Sequence, residues 1–461
     1  MTPPSQQSID TSIQQLRADL NGEVIGPDDP SYDEARSVFL TGFDRRRPAA
    51  VIQVADSNDV SRVVSVARES GAELAVRSGG HSTAGYGTSD GGLVIDLSRM
   101  RGLDIDASER TAWAETGLTA GDYIAATAGH RLVTGFGDTG TVGIGGITLG
   151  GGVGFLVRKH GMTIDDLLAA EVVTADGRVL RVDADTEPDL FWAIRGGGGN
   201  FGVATRFQFR LHELDEVVGG MLMLPASPSV IASFVAAAEA APEELSTIAN
   251  VTLAPPMPFV PEEHRGKPVV IALLVHVGTG EEGGRAIAAF RGLADPIADM
   301  VRPMRYPEMY ELAEPPQPVA ATMRNMFVDA VDESAAKTIL DRIGRASSPM
   351  AAVQVRVLGG AMARVPDDAT AFAHRGRRVM LNVAAMYQRP EEAATHEAWA
   401  TDTAAALRSG EDGAYVGFMG DEGEARVREA YPGSTWDRLT EIKRRYDPTN
   451  VFRLNQNVRA N

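Results

Sequence analysis

The chain has no cysteine among its 461 residues. That absence excludes disulfides, thiolate-held metals, iron–sulfur clusters and cysteine nucleophiles. Basic residues are in deficit, with 44 Lys and Arg against 62 Asp and Glu, a formal charge of −18. So acidic a chain is ill suited to displacing counterions from a phosphate backbone, and no nucleic-acid partner is expected. No apolar run approaches the roughly 20 residues of a membrane helix, so no membrane is expected either. The stretch MTPPSQQSIDTS lacks a basic segment followed by an apolar one, which makes a cytoplasmic location the expectation. No P-loop and no HExxH pair occur, and no metal site is expected. What the chain has in abundance is glycine, 49 residues in all, and their placement carries most of the information.

Strands and helices can be read from hydrophobic spacing. PAAVIQVA reads as a strand; Asp56, Ser57 and Asn58 offer caps; Val60, Val63, Val64 and Ala67 form one helical face; Gly71 ends the helix. ELAVRSG and GGLVIDLSRM are further strands, a βαββ rhythm that predicts an α+β domain. A helix is expected from about Thr119 to Ala128. IDDLLAAEVVTADGRVLRVD reads as a hairpin turning at Asp176-Gly177. Composition shifts near His212–Val217. Beyond it, MLMLP, VVIALLVHVG, AAVQVRVLGG and VMLNVAAMY alternate among alanine-rich helices, predicting an antiparallel sheet with helices on one face. Glu422–Tyr446 reads as one charged amphipathic helix.

Three short patterns fail their context. Gly135–Gly140 and Gly197–Gly202 both fit GxGxxG, but that fingerprint must open a helix. Seven glycines follow the first, which predicts packed loop rather than helix, and the strand-like VATRFQF follows the second. Gly87–Gly91 fits GxSxG but is followed by a strand. Two clusters remain. RSGGHS follows a strand and places His81 between glycines that let a planar ligand approach the backbone. TGTVGIGGITLGGGVGF, residues 139–155, reads as a packed loop whose N–H groups face an anionic or planar ligand.

RSGGHS, TVGIGGITLGGGVGF, DLFWAIRGGGGNFGV and the terminal YDPTNVFRLNQNV, in that order, resemble the berberine-bridge-enzyme-like branch of the vanillyl-alcohol-oxidase flavoproteins. The resemblance spans about residues 40–215 and 350–461. It implies an α+β, two-domain fold: an FAD-binding domain over 1–214 with its core at about 43–214, a substrate domain over 215–419 built on an antiparallel sheet covered by helices, and a segment, 420–461, returning to the first domain. It also implies FAD as cofactor, linked covalently through His81 only. Thr139 stands where many members carry a second, cysteine link. Further cofactor contacts implied are Arg77, Ser78, Gly79, Gly80 and Ser82; Thr141, Val142, Gly143, Gly145, Gly146 and Leu149; Gly151, Gly152 and Gly154; and Val203, Asn455 and Asn457. Val142 matches the position that controls oxygen access.

The implied activity is an FAD-dependent oxidase moving hydride from a C–OH carbon of a sugar- or alcohol-type substrate to the flavin, with O2 reduced to hydrogen peroxide. C–N oxidation of a heterocyclic amine and oxidative cyclisation are the alternatives. The resemblance places the catalytic base at Tyr415 on a late strand, although Gly417 replaces the supporting asparagine of the family motif. Gln354, Arg356 and Asn382 are candidate substrate-binding residues, since polar side chains at period two in apolar strands suit a ligand-facing surface. Expected partners are a small-molecule substrate and O2, with homodimerisation left open.

Overall fold

A computed structural model describes residues 6–313 and 319–460. The first layer is a small sheet ordered Glu23–Ile25, Ala50–Gln53, Leu93–Asp96, Leu74–Arg77, the last three strands parallel. The crossover is the Ser57–Ser70 helix. Asp56 caps its start by accepting the N–H groups of Asn58 and Asp59, and Gly71 at φ +74° ends it. The predicted face of Val60, Val63, Val64 and Ala67 is fully buried against this sheet. A second, antiparallel sheet runs Leu103–Asp106, Thr111–Glu115, Val203–Arg210, Leu167–Val173, Val179–Asp183. The helix expected from about Thr119 to Ala128 is Ala120–Ala128, with Thr119 as its N-cap.

The second half is an eight-stranded sheet among the described residues, and its pairings are antiparallel. Alternation splits its strands cleanly. Val353, Val355, Leu381 and Val383 pack toward the helices Pro228–Ala240, Glu333–Ile343 and Ala393–Leu407. Gln354, Arg356, Asn382 and Ala384 turn to the other face, which closes over the first domain. No helix of the described residues is long and apolar enough to cross a membrane.

Three local expectations change. Residues Ile144–Gly150 form a short helix, not a loop. Low glycine propensity is overridden there by packing too close for side chains, as at Gly145, where a Cβ would lie 3.0 Å from that of Ser78. Tyr415 is not on a strand; it precedes a 3₁₀ turn at Val416–Phe418. The C-terminal helix is two, Glu424–Ala430 and Ser434–Tyr446, because Pro432 interrupts the backbone ladder and Gly433 turns it at φ +55°.

The chain end is tied back by one buried charge pair. Lys443 Nζ lies 2.7 Å from Asp447 Oδ2, both side chains fully buried. The ammonium also donates to the carbonyls of Asn200 and Phe452, while Asp447 accepts from the N–H groups of Val451 and Phe452. Burial pushes the Lys443 pKa down, and the Asp447 carboxylate opposes that shift. Removing one partner strands the other charge. Asp447→Ala is therefore expected to cost about 3–5 kcal/mol in chemical denaturation.

Candidate functional site

Strand Leu74–Arg77 delivers the Ser78–Ser82 loop to the edge of the first sheet. There its backbone meets the start of the Ile144–Gly150 helix at closest approach: a Cβ on Gly79 would sit 2.2 Å from the Gly143 nitrogen. The Ser78 hydroxyl ties the contact by donating to the Thr116 carbonyl at 2.5 Å and accepting from the Gly145 N–H at 3.3 Å. Ser78, Gly79, Gly80, His81 and Ser82 line a cavity of about 700 Å³. The first four also line a neighbouring cavity of about 630 Å³ that contains Thr141. The His81 ring stacks on Phe39, centroids 3.9 Å apart and planes at 18°. Burial pushes its pKa down to about 4, opposed by a hydrogen bond to the Thr141 backbone, so the imidazole is neutral at ordinary pH.

Val142, Gly143, Gly145, Gly146 and Leu149 form a second wall of the large cavity, Val203 and Asn455 part of a third. Arg77 contributes its stem, for its guanidinium is engaged by Asp96 at 2.8 Å and by the carbonyls of Ala35 and Ser37. The walls fit a flavin dinucleotide. Gly146 and Gly199 face open space where a Cβ would meet nothing within 4 Å, and the buried Asn455 Oδ1 has no protein partner. Gly151, Gly152 and Gly154 are not on this wall. Gly151 abuts Met162 and the Tyr415 ring, Gly152 abuts Thr163, and Gly154 packs on the Phe136 carbonyl. Asn457 also lies off the wall, its Oδ1 buried and unpartnered.

The far end of the cavity is the inner face of the large sheet. Asn250, Gln354, Arg356 and Asn382 lie there with Tyr415 and Phe418. Arg356 pairs with Asp138, donates from Nε to Gln354 Oε1 at 2.8 Å, and sits 4.9 Å from the Phe418 ring centre. Gln354 in turn donates to Asn250 Oδ1 at 3.1 Å. The Tyr415 hydroxyl accepts the Gly152 N–H at 2.9 Å. Burial raises the Tyr415 pKa, although backbone donors at Gly152 and Val153 and the Arg356 charge pull the other way. Its backbone N–H is held by Asn325 Oδ1 at 2.7 Å.

The sequence reading missed Asp138, Asn250 and Phe39. Asp138 carried a signal, a carboxylate inside the 135–143 glycine segment. Asn250 had the same period-two placement as Gln354, and Phe39 had none.

Residues 48–183 match a family model described as FAD binding domain, and residues 414–459 one described as berberine and berberine like. The chain is 31% identical over 449 residues to (R)-6-hydroxynicotine oxidase of Paenarthrobacter nicotinovorans, covering 95% of this chain and 97% of that protein. The crystal structure of 6-hydroxy-D-nicotine oxidase from Arthrobacter nicotinovorans superposes with a TM-score of 0.86 at 28% identity, covering 96% of this chain and 98% of that one. A chitooligosaccharide oxidase shares the fold, with a TM-score of 0.83 at 20% identity over 98% of this chain and all of that one.

The glycines of the two walls should respond differently to substitution. Gly146→Leu adds a side chain to the cavity from a helical position, so the flavin-free protein should keep its thermal midpoint. Flavin content should fall by about tenfold or more, the cost of overfilling a packed site. Gly79→Ala forces two backbones apart and should lower both. Absorbance near the flavin bands and a melting curve separate the two outcomes.

Proposed function

The chain belongs to the berberine-bridge-enzyme-like FAD-linked oxidoreductases, and from that membership we propose that it is an oxidase acting on a C–H bond beside nitrogen or oxygen in a small or medium-sized molecule. The observation that carries this reading is a single cavity with the His81 loop at one end and Tyr415, Arg356 and Asn382 at the other. When bound, FAD supplies a two-electron acceptor whose electrons pass on to O2, giving hydrogen peroxide. The Ser78–Ser82 loop and the Ile144–Gly150 helix would hold it. His81, neutral and fixed by the Phe39 stack, is the attachment point. The sequence contains no cysteine for a second link.

The amine arm is the better supported. Burial raises the Tyr415 pKa, and a phenol is protonated near neutral pH in any case, so Tyr415 can offer its O–H to a substrate heteroatom. A neutral amine needs no strong base to give up hydride. The similarity to a protein named for oxidising 6-hydroxynicotine adds to this arm. The alcohol reading rests on one specific feature: the Tyr415 oxygen accepts a backbone N–H from Gly152, which stabilises the phenolate form.

Three outcomes test these assignments. The purified protein should be yellow after acid precipitation, with the flavin on the peptide containing His81; flavin released by acid sinks the covalent link. Val142 lines the cavity, and Val142→Leu should slow reoxidation by O2 more than it slows flavin reduction in stopped-flow traces. Tyr415→Phe should lower anaerobic flavin reduction less than about tenfold with an amine, but by roughly two to four orders of magnitude if the substrate is an alcohol needing a general base. The same variant leaves the buried Gly152 N–H without its acceptor, so it should also lose about 1–3 kcal/mol of stability.

A further inference from the structure

The sheet end of the cavity is lined largely by apolar side chains. Met221, Ile271, Leu273, Met323, Met350 and Met386 supply its apolar surface. Four of those six are methionines, whose flexible thioethers mould to flat apolar shapes and favour aromatic faces. Most polar side chains there already have protein partners, the hydrogen of the Tyr415 hydroxyl excepted. Asp138 binds Arg356, Arg356 binds Gln354, Gln354 binds Asn250, and the Thr252 hydroxyl donates to the Ala351 carbonyl at 2.7 Å.

One side-chain acceptor on this surface is left over. Asn382 is 6% exposed, lines the cavity, and its Oδ1 is buried without a hydrogen-bond partner. Its amide nitrogen has only the Met323 sulfur, at 4.0 Å. The residue sits mid-strand, opposite Gln354 on one neighbour and Asn325 on the other, so backbone pairing on both sides holds it in place. A buried carbonyl oxygen left unsatisfied is costly, and sites of this kind discriminate strongly for a ligand carrying the missing donor.

We propose that the chamber takes a flat, mainly apolar molecule bearing one N–H or O–H group, which donates to Asn382 Oδ1, and that it rejects carbohydrates. This rests on the oxidase reading only in where the substrate lies. A sugar would bring several hydroxyls to a wall of methionine, isoleucine and leucine. Each hydroxyl buried without a partner weakens binding by roughly tenfold. An aromatic amine or alcohol brings a face for the methionines and a single donor for Asn382.

The test titrates the holoenzyme, without oxygen, with naphthylmethanol, tetrahydroquinoline, naphthalene and cellobiose, following shifts of the flavin bands for binding and bleaching for reduction. Naphthylmethanol or tetrahydroquinoline should bind at least tenfold more tightly than cellobiose. In Asn382→Leu that donor-bearing ligand should bind at least tenfold more weakly, while naphthalene, which has no donor, should be unaffected. Tighter binding of cellobiose, or no binding of either donor-bearing aromatic, overturns the proposal in the wild-type protein alone. Equal weakening of naphthalene in the variant overturns the role of Asn382. Binding of the aromatics without bleaching by any compound would instead count against the oxidase reading and leave the chamber assignment standing.

Discussion

Everything at the site depends on two glycine backbones touching. A Cβ on Gly143 would lie 2.1 Å from the Gly79 nitrogen, and the reciprocal contact is as short. No side chain can exist at either position without separating the loop that follows Leu74–Arg77 from the helix that starts at Ile144. Their contact makes a floor of backbone, from which His81 and Val142 project toward the same cavity. The short helix that results is poor by propensity and good by packing, because Gly145 lets it lie directly on Ser78.

The second domain contributes chemistry through alternation. One face of its sheet is given over to aliphatic contacts with covering helices, the other to the cavity. On the cavity face the polar side chains form a relay from Asp138 of the first domain to Asn250 of the second. Arg356, nearly fully buried, joins the two domains through its ion pair with Asp138. A lone buried guanidinium would be prohibitive, and pairing it across the domain boundary makes the site coherent only when both domains are in place. The fully buried Arg375, bidentate to Asp165, makes a second such junction. The terminal segment completes the arrangement: Lys443 and Asn200 clamp residues 452–458 against the Gly197–Asn200 turn, which brings Asn455 to the cavity.

The sequence by itself determined the architecture. Hydrophobic spacing located the Ser57–Ser70 helix, the Leu167–Asp183 hairpin and the long strands of the second sheet, because each buries one face and period alone reports that. The conjunction of glycine motifs pointed to the cofactor and to His81. Period two also placed Gln354 and Arg356 on one face and Asn382 with Ala384 on another strand. What only the tertiary structure decided were the matters of proximity. Glycine spacing does not say whether a run is helix or loop, since the packing that overrides propensity at Ile144–Gly150 comes from Ser78 and Gly79, far away in the chain. Tyr415 could be placed near the site but not oriented, because its hydroxyl is held by Gly152, 263 positions earlier. Nor could the sequence separate Asn382, with its oxygen unpaired, from Gln354 and Arg356, already bound to each other and to Asp138: whether a buried polar group is satisfied depends on which atoms the folded chain brings within hydrogen-bonding distance.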